Sequence, residues 1–378
     1  MIDQIHSGGV EKIAIQQVYA LNNIGTPASL VVLRETDITN HPFSDLLQKV
    51  PIVFLDSRLP AFLKISFKFP AFSFFSLFHL SYPLLLPWVV KREEFSIFLS
   101  HGTYTTFTSL ALRAFKKIPF AVLIWDPTAY ILEKAYSQGP IRILRSLLLP
   151  LAKLVDYLVV FKASVVLVAG GANIPYLKKL GVKRIDKLYP GINPAKEILQ
   201  ERGDFILMVT AWKEGKNPEY NLDLIEKLPS TKLVMAGSWY PENLQEEFRK
   251  KVVARNLESR VIITGSLSEL ELNHLYTTAR VFVQTNDDRG FGMPALEAAS
   301  QGCPFIIPES QGVGELFTDG QEGFFTKERD TKQVLEKLTM LLNDKKKATI
   351  MGRHGWEKVI NNYSWEKHAL TLVGELSK

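Results

Sequence analysis

Residues 286–299 read Asn286-Asp287-Asp288-Arg289-Gly290-Phe291-Gly292-Met293-Pro294-Ala295-Leu296-Glu297-Ala298-Ala299, an order that can hold a phosphate-bearing ligand. Gly290 and Gly292 let the backbone turn tightly and approach a ligand closely. Pro294 suits the first turn of a helix, where its missing N–H is no loss. The free N–H groups and the dipole at the start of such a helix form a site for phosphate. Glu297, about one turn in, can accept two hydrogen bonds from neighbouring hydroxyls, as a carboxylate does with ribose. A plain strand–turn–helix with an exposed glutamate fits the same letters, and for a bare Gly-x-Gly it is the favoured reading. Metal chemistry finds no support. The single cysteine, Cys303, excludes a disulfide framework and a four-cysteine zinc site, and the seven histidines are scattered without ligand spacing.

Such a turn needs a strand ahead of it. Apolar runs at 205–210, 232–236, 260–264, 280–284 and 304–308 alternate with polar stretches of helical spacing, such as 242–257 and 269–278. Runs that are apolar throughout suit a parallel sheet covered on both faces. Strands alternating with helices predict a doubly wound α/β domain, whose ligands bind beyond the carboxyl ends of the strands. The first half repeats the rhythm less cleanly, with helical periodicity over 10–23 and strand-like runs at 29–34, 52–55, 95–99, 120–125 and 165–169. The breakers in Tyr189-Pro190-Gly191-Ile192-Asn193-Pro194 mark the hinge. The 378 residues are therefore expected to form two α/β domains facing each other across a cleft.

Composition narrows the partners. Hydrophobic residues at 46% and charged residues at 22% exclude wholesale disorder. Residues 1–195 carry a net +9 and residues 196–378 a net −3, so the first half suits anionic lipid, nucleic acid or a phosphorylated substrate. Base-stacking motifs and dense Arg/Lys clusters are missing, which argues against nucleic acid. Residues 69–90 hold no Lys, Arg, Asp or Glu over 22 positions. That length could span a bilayer, but Pro70, Pro83, Pro87 and His79 disfavour it. Lys64, Lys68, Lys91 and Arg92 flank the stretch, which points to a segment lying in an anionic interface. Burial in a core, or a lid over an apolar acceptor, is the alternative. Residues 141–162, with Arg142, Arg145 and Lys153, form a second candidate that packing as a buried helix would explain equally well. No secretory leader pattern opens the chain, so the expected location is the cytoplasm, with peripheral contact at the inner face of the cell membrane.

The run Gly290-Phe291-Gly292-Met293-Pro294-Ala295-Leu296-Glu297 resembles the second part of the Glu-x7-Glu signature of the retaining GT-B glycosyltransferases of family 4. Lys216, in Trp212-Lys213-Glu214-Gly215-Lys216-Asn217, resembles the lysine that holds the donor's phosphates. Gly312-Val313-Gly314-Glu315-Leu316 with Asp319-Gly320 and Gly323 resembles the loop and turn downstream. Tyr363-Ser364-Trp365-Glu366 resembles the start of the terminal helix, and Ser7-Gly8-Gly9-Val10-Glu11 the glycine loop facing the cleft. The matches are dense over 205–378 and sparse before 190. The resemblance implies two Rossmann-like doubly wound domains: residues 1–190 on the acceptor side and residues 191–362 on the nucleotide-sugar side. Residues 363–378 would cross back to the first. It further implies transfer of a sugar from a UDP- or GDP-linked donor to an acceptor, with anomeric configuration retained and no metal required; the basic first half and the apolar stretch 69–90 point to a lipid-linked or membrane-proximal glycan as that acceptor. Lys216, Arg289 and Asp126 are the implied catalytic residues. Gly8, Gly9, Lys213, Gly290, Phe291, Gly292 and Glu297 are implied to hold the donor.

This chain departs from the family pattern in three places. Arg289 stands where the family has the first glutamate of its signature, a residue expected to touch the transferred sugar. Its guanidinium can still donate to hydroxyl or phosphate, or simply stand exposed in the loop. Ala211-Trp212-Lys213 occupies the place of a phosphate-binding arginine. Trp125-Asp126-Pro127 replaces a histidine, which assigns Asp126 to the acceptor side. The departures leave room for a non-catalytic sugar-nucleotide-binding subunit, and the buried alternative for residues 69–90 for a soluble acceptor. Adjacent Asp287 and Asp288 lack the Asp-x-Asp spacing of a metal-dependent GT-A enzyme. Only residues 1–5 precede His6, whereas a glycine loop of this kind follows a central strand. Either the reading frame begins upstream or this stub is a very short strand.

Overall fold

The computed structural model describes residues 1–6, 8–39, 41, 43–60, 85–135, 142–213, 216, 218–285 and 290–378. The chain divides into two compact units, Met1–Gly191 with Trp365–Lys378, and Ile192–Ser364.

In the first unit β1 (Leu30–Val32) pairs in parallel with β2 (Ile52–Phe54). A second parallel sheet runs in the order β3 (Phe98–His101), β4 (Phe120–Ile124), β5 (Val166–Val168), β6 (Ile185–Lys187). The opening residues lie between the two. Ile2 N donates to Val31 O and Leu33 N to Ile2 O on one side, at 3.0 and 3.1 Å, while His101 N donates to Met1 O at 3.0 Å on the other. Ile2 thus forms an isolated parallel bridge to Val32, and these backbone groups next to β1 and β3 have partners. Strand alternation splits the opening residues between two cores. Met1, Val31 and Leu33 pack with Phe98, Leu112 and Phe120. Ile2, Leu30 and Val32 pack with Ala14, Ile15 and Val18 of the helix Gly9–Asn23.

The terminal helix Trp365–Ser377 packs on the helix Gly9–Asn23. Gly191 permits its entry, since a Cβ there would lie 2.6 Å from Trp365 Cα. A buried polar chain ties these parts together. His101 Nε2 bonds Gln17 Oε1 at 3.0 Å, Gln17 Nε2 bonds His368 Nε2 at 2.8 Å, and His368 Nδ1 bonds Tyr189 O at 2.7 Å. These partners assign His368 as the neutral Nδ1–H tautomer. Burial lowers the His368 pKa from 6.5 to about 4, and burial also holds His101 well below its ordinary value. Between those values the unfolded chain binds more protons than the folded one. The cluster's stabilisation is therefore complete above pH 6.5 and is lost as pH falls toward about 4. The melting temperature should drop between pH 7 and pH 5, and His368→Gln should flatten that drop. Calorimetry at the two pH values checks this, and an unchanged slope in the variant would assign the loss to other groups.

The second unit is one six-stranded parallel sheet in the order β12 (Gly323–Thr326), β11 (Phe305–Pro308), β10 (Val281–Val283), β7 (Phe205–Val209), β8 (Lys232–Ala236), β9 (Val261–Gly265). From β7 the chain winds one way through β8 and β9. It returns to β10 on the other side of β7 and winds away through β11 and β12. The switch point is the crevice beyond the carboxyl ends of β7 and β10.

Residues 61–84, which hold most of the apolar stretch 69–90, lie outside the described residues. At its end Leu86 and Val90 are buried while Trp88 stands 77% exposed. Among the described residues no helix is long and apolar enough to cross a membrane.

Candidate functional site

The loop leaving β7 is pinned before it reaches the crevice. Trp212 N donates to Ser238 O at 2.7 Å and Tyr240 N to Trp212 O at 2.9 Å, extending the pairing of β7 and β8 past both strands. The Trp212 indole stacks on Trp239 at 5.4 Å between centroids, and its Nε1 donates to Ala236 O at 3.0 Å. Beyond this anchor Lys216 N donates to Lys213 O at 2.8 Å. The turn separates the two lysines: Lys213 is exposed, whereas Lys216 is 8% exposed. Lys216 lines a cavity of about 10 Å³, the space of a single water, with Thr210, Gln284 and Thr285. Both sides of the switch point thus contribute to one small hole, lined by these polar groups and by Met208, Trp212 and Val283. Its surroundings are unsatisfied as well. Gln284 Oε1 and Asn221 Nδ2 are buried without a hydrogen-bond partner among the described residues, and Thr285 Oγ1 donates to Asn221 Oδ1 at 2.9 Å.

Past β10 the described chain resumes at Gly290. Asp287, Asp288 and Arg289 lie outside the described residues. Gly292 caps the helix Met293–Ser300 with φ +91°, and Pro294 sits in its first turn. At that φ a side chain is strained, and a Cβ would also strike Gln311 Oε1 and lie 2.9 Å from Val313 Cγ1. The loop at 311–313 braces the glycines from below. Gly312 N donates to Gly290 O at 3.2 Å and Val313 N to Phe291 O at 2.6 Å. Gly312 allows this approach because a Cβ there would lie 3.3 Å from Phe291 Cα. Downstream, Gly320 N donates to Gly323 O at 2.8 Å and Phe325 N to Asp319 Oδ1 at 2.7 Å, closing the turn into β12.

Glu297 is half-buried on the helix that Gly292 opens. Tyr276 Oη donates to its Oε2 at 3.0 Å. Tyr276 is fully buried, and burial, followed by the charge of Glu297, raises its pKa well above the ordinary phenol value. Sequence reading missed Tyr276, Gln311, Gln284 and Asn221. Of these only Gln284, the last residue of the run at 280–284, lies at a spacing that links it to the glycine turn.

Lys213, Lys216, Gly290, Phe291, Gly292 and Glu297 all belong to the second unit; Gly8, Gly9 and Asp126 belong to the first. Gly8 caps the helix Gly9–Asn23, and the Glu11 carboxylate lies where its Cβ would be. Burial raises the Glu11 pKa. Asp126 is exposed after β4. The helix Thr128–Ala135 that follows is held by a different acid. Asp156 accepts from Thr128 N at 2.7 Å, Ala129 N at 3.0 Å and Tyr176 Oη at 2.7 Å.

These α/β units with parallel sheets are those of the GT-B glycosyltransferases. The whole chain superimposes on 94% of sucrose-phosphate synthase from Thermosynechococcus elongatus with a TM-score of 0.79 at 17% identity. Residues 192–358 match the family Glycosyl transferases group 1, which supports that family for the second unit. An uncharacterized glycosyltransferase of Methanocaldococcus jannaschii is 30% identical over 183 residues, 48% of this chain and 50% of that protein. A GDP-mannose:cellobiosyl-diphosphopolyprenol alpha-mannosyltransferase of Xanthomonas campestris is 28% identical over 181 residues, 44% of this chain and 47% of that protein. The chain spans about half the length of these two curated relatives.

Proposed function

We propose that the protein is a retaining, metal-independent glycosyltransferase that moves a sugar from a UDP- or GDP-linked donor to a lipid-linked or membrane-proximal glycan. One observation carries this reading: a nearly buried Lys216 at the switch point shares a small cavity with Gln284 and Thr285, where β10 ends and the chain leads on to the helix Met293–Ser300. Loss of a nucleoside diphosphate develops charge on its phosphates, and fixed donors aimed at that charge supply the largest catalytic effect available here. Lys216 gives a point charge and the start of the helix Met293–Ser300 gives backbone N–H groups and a dipole. Glu297 would take the ribose hydroxyls and so set the register of the donor. Arg289 would donate to the transferred sugar, and Asp126 would meet the acceptor. A thermal-shift screen against UDP-, GDP- and ADP-sugars, followed by single-turnover assay with the best binder, tests the reading. Transfer supports it, binding without turnover identifies a sugar-nucleotide-binding subunit, and no binding overturns both.

The lipid side of the proposal rests on the helix Arg142–Phe161. Ala152, Val159 and Val160 are buried, while Leu151, Leu154, Tyr157, Leu158 and Phe161 are exposed along the other face. The exposed charges over 148–162 are Lys153 and Lys162, since Asp156 is buried as a helix cap. An apolar stripe beside basic residues fits the headgroup boundary of an anionic bilayer. The protein should sediment with phosphatidylglycerol vesicles, and Leu154→Glu with Leu158→Glu should reduce the bound fraction by about tenfold. Equal sedimentation of wild type and variant would remove this face from membrane contact.

A further inference from the structure

The phenol of Tyr276 has a use beyond packing. Its ring is fixed in the core of the second unit, 5.9 Å from Phe282 of β10 between centroids, and its backbone carbonyl is held by Arg202 Nη1 at 2.9 Å. The side chain therefore has no freedom to follow a moving partner. Its hydroxyl ends on Glu297 Oε2 at 3.0 Å, on the neighbouring helix. Burial keeps the phenol protonated, so it donates throughout the working pH range. A carboxylate offers about four lone-pair sites, and the phenol takes one of them. A contact that holds a half-buried carboxylate in place before a ligand arrives lowers the ordering cost of binding.

We infer that Tyr276 is a positioning residue for the donor's ribose, holding the Glu297 carboxylate in the one orientation that can accept both ribose hydroxyls. This rests on the reading of Glu297 as the ribose acceptor. Phenylalanine keeps the ring packed on Phe282, so Tyr276→Phe tests the hydroxyl alone.

The test is calorimetric titration of wild type, Tyr276→Phe, Glu297→Ala and the double variant. UDP and GDP are the probes, with the 2′-deoxy form of whichever binds more tightly. Tyr276→Phe should raise the Kd of the ribonucleotide by about tenfold, and that of the 2′-deoxynucleotide by clearly less. In the Glu297→Ala background it should add nothing. Unchanged affinity in Glu297→Ala would overturn the ribose reading itself. Loss of affinity in Glu297→Ala with wild-type affinity in Tyr276→Phe would overturn only the positioning role. Equal weakening of the ribo- and deoxynucleotide by Tyr276→Phe would also overturn it, since a general loosening of the unit cannot tell the two sugars apart.

Discussion

Lys216→Ala should lower kcat by about 10²–10³-fold while leaving the melting temperature within a few degrees of wild type. The asymmetry follows from where the ammonium sits. A lysine that is 8% exposed beside a small cavity has given up most of its hydration. Its removal relieves a desolvation cost as well as deleting contacts, so the two effects oppose each other in stability. In the proposed reaction nothing opposes the loss, because the charge developing on a departing diphosphate would lose a fixed cation. Lys227, exposed and outside the candidate site, is the control, and Lys227→Ala should change kcat by less than about threefold. Steady-state kinetics and thermal melts on the three proteins decide the matter. Parallel loss of activity and stability in Lys216→Ala would make it a structural lysine.

The second unit was legible because its sheet is covered on both faces. The interiors of the runs at 205–210, 232–236, 260–264, 280–284 and 304–308 are apolar for that reason, with Lys232, Arg260 and Arg280 at their ends, and they cover β7, β8, β10, β11 and all of β9 but Gly265. β12 escaped because Gly323-Phe324-Phe325-Thr326 opens on a glycine and reads as the end of a turn. The structure explains that glycine, since the Phe305 ring of β11 fills the space where its Cβ would be. The opening stub shows a different limit. Five residues carry no periodicity, yet Met1 and Ile2 find one core each because hydrogen bonds to Val31, Leu33 and His101 fix which way they point.

At the candidate site, local chemistry was readable and its support was not. A glycine followed by proline and glutamate announces a turn, a helix start and a carboxylate. The side chains that hold those features come from far along the chain. Gln311 under Gly292 and Tyr276 against Glu297 are contacts between separate connections of the sheet, made only once β10 lies beside β11. A buried tyrosine at the end of a helix has the same letters whether its hydroxyl meets a carbonyl, a water or a carboxylate.

Glu297→Ala should weaken donor binding by about 2–4 kcal/mol, a rise in Kd of about 30- to 1,000-fold. The range reflects two charge-assisted hydrogen bonds to a diol, lost together. The substitution also strips the buried Tyr276 hydroxyl of its acceptor, which should cost about 1–3 kcal/mol of stability. The two losses must be separated by titrating well below the variant's melting temperature, where nearly all of the protein is folded and Kd reports the site. The discriminating comparison is again the 2′-deoxynucleotide. Wild type should bind it more weakly than the ribonucleotide, because one hydroxyl is missing from the pair that Glu297 is proposed to accept. Glu297→Ala should bind the two equally. A change in Kd below a few tenths of a kcal/mol, or a preference for ribose that survives the substitution, would show that the pentose is recognised by other groups.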